Sequence, residues 1–176
     1  NDKDEQIPIS QADAKYKRYI GNGAPKHFLS WSNNLTWRNF DLSVFFRGTF
    51  GFDVFNMRKY GMGLQGCGTD NVLRSAYLED KNIRTGGGVI SSYFLEDGSF
   101  IKLENVTLGY NFTPKNRKLL DNMRIYLSAK NLFTLTGYSG NDPSIIDVNG
   151  IQPGVDSNSA YPTATQLSLG VTLRFK

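Results

Sequence analysis

The sequence predicts an all-β chain: an antiparallel transmembrane β-barrel segment of about five strands. Three observations carry this reading. Apolar and polar residues alternate over stretches long enough to cross a bilayer. The connections between those stretches are alternately short and long. Aromatic residues collect near the ends of the stretches.

In the first stretch Leu29, Trp31, Leu35 and Trp37 alternate with Ser30, Ser32, Asn34, Thr36 and Arg38, and only Asn33 breaks the apolar phase. In the second, Phe40, Leu42, Val44, Phe46 and Phe50 stand against Asp41, Ser43, Arg47 and Thr49. Little more than Asn39 separates the two, which is the mark of a tight hairpin. A third stretch sets Val106, Leu108, Tyr110 and Phe112 opposite Asn105, Thr107, Gly109 and Asn111. The fourth sets Met123, Ile125, Leu127, Ala129 and Phe133 opposite Arg124, Ser128 and Lys130, with Tyr126 the exception. The last is the most regular: Leu167, Leu169, Val171, Leu173 and Phe175 interleave with Gln166, Ser168, Gly170, Thr172 and Arg174. Side chains alternate across a strand, so each stretch has one greasy and one wet face. Each is close to the roughly 9–11 residues that a tilted strand uses to span a membrane.

Short connections follow the first stretch and the third, the latter running from Thr113 to Asn122 with Pro114 inside it. Long ones follow the second (51–99) and the fourth (137–164). Short turns at one end and long loops at the other are the layout of bacterial outer-membrane barrels, and a periplasmic C-terminus would put both long loops outside the cell. The first long loop is expected to carry a short helix around Val54 to Tyr60, with Gly61-Met62-Gly63 and Gly86-Gly87-Gly88 as punctuation. Trp37, Phe40, Tyr110, Phe112 and Phe175 lie at the short-turn side, and Phe50 and Phe133 at the other, as in an interfacial girdle. The alternative is a soluble β-sandwich, whose strands also alternate but pack their apolar faces into a shared core. Long strands and such long connections weigh against it.

Composition narrows the rest. With a mean hydropathy of -0.38 and no apolar run approaching about 20 residues, the chain is not a helical membrane protein. A net charge of +4 leaves room for nucleic acid. The cations are scattered, however, and the densest group, Lys115, Arg117 and Lys118, reads as a solvated turn, so no nucleic-acid partner is expected. The lone Cys67 excludes an intrachain disulfide and a thiolate cluster, and the lone His27 excludes a multi-histidine metal site. His27 at a strand start reads as a polar rim residue, Cys67 lies in a glycine-rich stretch, and Gly86-Gly87-Gly88 lacks the lysine and hydroxyl of a phosphate loop. The chain is therefore read as a non-enzyme, with no catalytic residue, cofactor or metal ligand assigned. Asp142, Asp147, Asn149 and Asp156 could offer oxygens to Ca²⁺, but their spacing is not that of an EF-hand and a solvated loop is the ordinary reading. Tyr138 and Tyr161 could stack on sugar rings. The polar start, Asn1-Asp2-Lys3-Asp4-Glu5, suits an internal stretch of a longer chain or an exported one after signal removal.

Six motifs, in order, give a resemblance. They are Tyr19-Ile20-Gly21-Asn22-Gly23-Ala24-Pro25; Asn39-Phe40-Asp41-Leu42-Ser43 leading to Gly48-Thr49-Phe50-Gly51; and Asp97-Gly98-Ser99-Phe100-Ile101-Lys102-Leu103-Glu104-Asn105-Val106-Thr107-Leu108-Gly109-Tyr110. Then come Ala129-Lys130-Asn131-Leu132-Phe133-Thr134, Tyr138-Ser139-Gly140-Asn141-Asp142-Pro143, and Ser168-Leu169-Gly170-Val171-Thr172-Leu173-Arg174-Phe175. From about Tyr19 to Phe175 the chain resembles the C-terminal barrel region of SusC/RagA-like TonB-dependent outer-membrane transporters. The resemblance implies a plugged barrel of roughly 22 strands, so that residues 1–176 are its C-terminal portion, with the plug domain and earlier strands absent. It implies uptake of a large nutrient, oligosaccharide or peptide, across the cell outer membrane. The expected partners are membrane lipid, the remainder of the same barrel, a SusD-like surface lipoprotein acting as a lid, and TonB through the plug. Tyr138 and Tyr161 become candidate extracellular ligand or lid contacts. Ser168, Gly170, Leu173 and Phe175 fit a barrel-assembly signal, with Lys176 trailing the aromatic. The alternatives are a non-transport or porin-like barrel and a soluble secreted glycan-binding sandwich.

Overall fold

The computed structural model describes residues 18–63, 71–78, 90–114, 119–146, 151–157 and 161–176. Each alternating stretch becomes one long strand: β1 (His27–Trp37), β2 (Phe40–Phe50), and, beyond the elements of the first long loop, β5 (Phe100–Phe112), β6 (Leu120–Thr136) and β8 (Gln166–Phe175). They form one antiparallel sheet in the order β1-β2-β5-β6-β8, a meander in which each strand pairs with the next long strand in sequence. Lengths of 11, 11, 13, 17 and 10 residues match a membrane-crossing wall better than ordinary strands of about 5–6 residues.

The turn between β1 and β2 is as tight as the sequence requires. Trp37 faces Phe40 across the pair, and Arg38 takes a left-handed φ of 53° to reverse the chain. Bulges interrupt the ladder where β5 pairs with β2 and with β6, around Glu104 and around Asn131, whose φ is 52°. By slipping the register there, the bulges put Leu103 beside both Phe46 and Phe133.

The long loops are more ordered than a loop reading implies. Between β2 and β5 lie β3 (Asp53–Asn56), helix α1 (Met57–Met62), helix α2 (Ser75–Leu78) and β4 (Leu95–Asp97). Between β6 and β8 lie a 3-10 turn (Pro143–Ile145) and β7 (Val155–Asp156). Strands from both loops share a second sheet of order β4-β3-β7, in which β3 and β7 run parallel. The helix expected around Val54 to Tyr60 is therefore corrected: Asp53–Asn56 is a strand, and α1 begins only at Met57. The reason is local. The buried Val54 and Asn56 alternate with the less buried Asp53 and Phe55, a strand period, and the Asn56 side chain caps the helix by accepting from the Lys59 N–H at 2.9 Å. Gly63 closes α1 as its C-cap. Gly86-Gly87-Gly88 and Cys67 lie outside the described residues.

The buried core sits in this loop layer and at the adjoining end of the wall: Phe52, Val54, Phe100, Tyr138 and Ile146 form one cluster. Away from that end, many large apolar residues of the long strands stay exposed instead, among them Leu35, Trp37, Leu108, Leu127 and Leu169.

Candidate functional site: a two-faced wall and its loop layer

Because the register is fixed, residues can be followed across the sheet in rungs. One rung is Leu35, Leu42, Leu108, Leu127 and Leu169, a leucine on every long strand. The next toward the short turns is Trp37, Phe40, Tyr110, Ile125 and Val171. Trp37 stacks on Phe40 with centroids 6.4 Å apart, and Phe40 meets Tyr110 edge-on at 4.9 Å. Beyond them Phe112, Met123 and Leu173 follow, then Phe175 beside Leu120. Between Ile101 and Phe112, at ~3.3 Å per residue and a tilt of about 40°, the wall rises about 27 Å, close to the ≈ 25 Å apolar band of transmembrane barrels. The smaller sheet lies at the loop end and does not cover this face, since Leu127 remains 51% and Leu169 75% exposed.

The opposite face is polar. Its mid-height rung is Asn34, Ser43, Thr107, Ser128 and Ser168, and Thr107 donates to Ser128, which donates to Asn105 (3.1 and 3.2 Å). Toward the short turns, Arg124 reaches across β5 to make a two-pronged ion pair with Asp41, which also accepts from Asn111 at 2.8 Å. Toward the loops, Arg47 pairs with Glu104 at 2.9 Å. Tyr126, the exception to the sequence alternation, belongs to this face. It stands between Gly109 and Gly170 in the rung, and a side chain at Gly170 would collide with its ring. A side chain at Gly109 would run into the Asp41–Arg124 pair. Both glycines are needed for close approach rather than for backbone freedom.

The loop layer is tied to the wall by a buried cluster. Lys102 of β5, only 2% exposed, donates to Asp142 (3.1 Å), Ser144 (2.7 Å) and Thr163 (2.6 Å). Three donors meet three acceptors, so the ammonium is satisfied. Burial alone would raise the Asp142 carboxyl, but hydrogen bonds from Ser144, Thr163 and Lys102 outweigh it and bring it down to about 2. Tyr138 is 6% exposed and its hydroxyl donates to Asp156 at 2.7 Å; burial and that carboxylate push the phenol well above its usual range. Glu96 accepts from the Ser139 N–H and hydroxyl, each at 2.8 Å, joining β4 to the second loop.

The site residues expected from sequence fall in different places. Tyr138 is inside the loop layer and holds it together, so in this chain it offers no stacking face, whereas Tyr161 is 92% exposed. Ser168 and Gly170 lie on the polar face of β8, Leu173 and Phe175 on its apolar face. Of the calcium-type oxygens, Asp142 is committed to Lys102 and Asp156 to Tyr138, while Asp147 and Asn149 lie outside the described residues. His27 opens β1 and is exposed. The Lys102 cluster was not read from sequence: a lysine inside an alternating stretch gives no sign that it will be buried.

An antiparallel wall with one apolar membrane-height face, one polar face, short turns at one end and an ordered loop layer at the other defines the chain as a transmembrane β-barrel segment. No family model matches it. TonB-dependent receptor P3 of Formosa agariphila is 28% identical over 195 residues, covering 99% of this chain and 18% of that protein. TonB-dependent receptor SusC of Bacteroides thetaiotaomicron is 28% identical over 153 residues, 82% of this chain and 14% of the relative. Among solved structures, the RagAB peptide importer in its closed-closed state superposes with a TM-score of 0.74 at 24% identity, covering 95% of this chain and 19% of that one. The chain thus spans less than a fifth of the length of these relatives. Over nearly its whole length it is similar to SusC-like TonB-dependent receptors, and it folds as the barrel wall of the RagAB importer does.

Proposed function

We propose that the chain forms part of the wall and outer loop layer of an outer-membrane transporter that imports a large nutrient, an oligosaccharide or a peptide, with energy from TonB. In this reading it is the C-terminal portion of a roughly 22-stranded barrel whose plug and earlier strands lie elsewhere in the full receptor. A SusD-like lipoprotein closes over the loop layer. The observation that carries the proposal is the pair of rungs at mid-wall: five leucines on one face, and Asn34, Ser43, Thr107, Ser128 and Ser168 on the other. A lipid-facing surface and a wet interior need that division, and a sandwich would cover the apolar face that is bare here. The relatives are named as receptors, which supports a binding and transport role, and the chain is assigned no catalytic residue.

The test is nutritional. Cells lacking the full-length receptor, or lacking TonB, should fail to grow on the oligosaccharide or peptide it imports as sole carbon source. They should still grow on the monosaccharide or amino acids. Uptake that persists without TonB would favour a porin-like barrel. A SusD-like lipoprotein should co-purify with the tagged receptor, and its absence would remove the lid from the proposal.

A further inference from the structure

The turn between β1 and β2 holds a cation in an unusual place. By the strand period Arg38 belongs to the polar phase with Asn34 and Thr36, which looks toward the wet face. With its left-handed φ of 53°, it instead carries its guanidinium to 5.2 Å from the centre of the Trp37 ring. Trp37 is 66% exposed and stands in the apolar rung with Phe40 and Tyr110, so the cation rests at the membrane-facing edge of the wall. Glycine and asparagine are the usual occupants of a left-handed turn position, and Asn39 is the next residue. Asn39 is held elsewhere. Its side chain donates to the Asn111 carbonyl and its own carbonyl accepts from the Asn111 N–H, both at 2.7 Å, which leaves the strained position to Arg38. Among the described residues no carboxylate or carbonyl accepts from the Arg38 side chain, and the acid nearest in sequence, Asp41, is taken by Arg124 and Asn111.

Resting on the membrane-wall reading above, we propose that Arg38 and Trp37 bind the headgroup phosphate of a net-anionic phospholipid in the leaflet at the short-turn edge, the periplasmic one in that reading. Lipid phosphates lie just beyond the hydrocarbon, at the level that interfacial aromatics mark. A guanidinium whose flat face rests on a ring keeps its N–H donors free at the edge, in the fork that matches two phosphate oxygens. The indole beneath it offers apolar surface to the upper part of the acyl chains. Charge sets the preference among lipids. An ammonium headgroup opposes the cation, whereas a glycerol headgroup leaves the phosphate charge uncompensated. The two ends of the wall also differ: the connection 137–164 carries Asp142, Asp147 and Asp156 with no lysine or arginine, while Arg38, Arg174 and Lys176 outnumber Asp121 at the short-turn end.

The experiment uses the full-length receptor in phosphatidylcholine vesicles containing either phosphatidylglycerol or phosphatidylethanolamine with brominated acyl chains. Bromine quenches tryptophan on contact, and the part of the quenching that Trp37→Phe removes, in each background, reports the lipid at Trp37 alone. Wild type should favour phosphatidylglycerol over phosphatidylethanolamine at this position by about fivefold, the scale of one arginine at an anionic surface. Arg38→Gly suits the left-handed backbone, so the fold is not at stake, and it should bring the ratio near one. About 0.5 M salt should lower the wild-type ratio and leave that of Arg38→Gly unchanged. A wild-type ratio near one overturns the proposal, as does a ratio that Arg38→Gly leaves intact. Glycerophosphoglycerol, the same headgroup without chains, should not compete; if it abolishes the ratio, the site takes a soluble anion and the lipid assignment is overturned. A ratio near one in a receptor that still separates Leu127→Arg from Ser128→Arg in stability refutes only this inference. Equal costs at those two positions refute the wall reading beneath it.

Discussion

Arginine in place of Leu127 tests the orientation of the wall most directly. Leu127 sits on the central part of β6 with Leu108 on one side and Leu169 on the other. Leu108 lies four residues from Phe112 in β5, so the rung is about 10 Å in height from the short-turn edge of a band about 27 Å tall. That is near, though not at, the midplane, where an outward arginine in a barrel costs about 2–4 kcal/mol; we expect about 2–3 kcal/mol for Leu127→Arg. Arginine at the neighbouring Ser128, on the polar face, should cost well under half of that, since its charge meets water. Leu127→Ala adds a second discrimination. In lipid the removed side chain leaves an environment as apolar as itself and the loss stays below about 1 kcal/mol, whereas a sandwich core would lose about 2–5 kcal/mol. The assay is urea unfolding of the full-length receptor refolded into lipid vesicles, with heat-modifiable gel mobility as the measure of the folded barrel. Equal costs for arginine at the two positions would refute the assignment of faces.

Other outcomes follow from the inner face and the loops. Gly170→Val should destabilise the barrel by forcing the Tyr126 ring aside, and Tyr126→Ala should restore much of the loss; additive effects in the double mutant would dissociate the two. Asp142→Ala should cost about 3–5 kcal/mol locally by stranding the buried Lys102, while Lys102→Met with Asp142→Leu should be far milder; limited proteolysis of the second loop reads both. Because the folded carboxyl is depressed to about 2, the stabilisation from Asp142 should be complete above about pH 5 and fade as pH falls through about 4 toward 2. Loop protection that instead declines between pH 7 and 5 would contradict this. Tags near Gly87 and Asn149 should be reached on intact cells and one near Asn116 only after permeabilisation; a surface-labelled Asn116 tag would invert the topology. Residues 1–176 alone should aggregate in plain buffer, because the apolar rungs have no cover and β1 and β8 each pair on one side only. A monodisperse monomer with one sharp melt would overturn the membrane assignment.

Much of the wall was legible because its period is short and its partner is a solvent. A lipid-facing strand needs an apolar residue at every second position whatever its neighbours are, so Leu167 to Phe175 declares itself without tertiary information. The loop layer has no such solvent. The burial of Val54 and Asn56 depends on β4 and β7, which arrive from about 40 and 100 residues further along the chain, and a local pattern of four residues cannot report that. The same holds for Lys102 and Tyr138. Both look like surface residues by type, and each is buried because a partner from a distant segment, Asp142 or Asp156, supplies the missing polar contact.

The inner face shows how register converts an apparent exception into a rule. Taken within β6, Tyr126 breaks the alternation, and a reading confined to one strand has to treat it as noise. Taken across the sheet, its neighbours are Gly109 and Gly170, and the ring occupies the space that Gly170 leaves. The guanidinium of Arg124 lies 5.0 Å from the centre of that ring and pairs with Asp41 over Gly109. Bulk in this rung is thus distributed among strands: the large Tyr126 side chain on β6 faces only glycine on β5 and β8. The outer face has no comparable requirement, because lipid adapts to whatever side chains it meets. Substitutions among apolar residues should therefore be tolerated along the leucine rung, while the smallest additions at Gly109 or Gly170 should not, and a scan that found the two faces equally permissive would show that the register described for β6 and β8 is wrong.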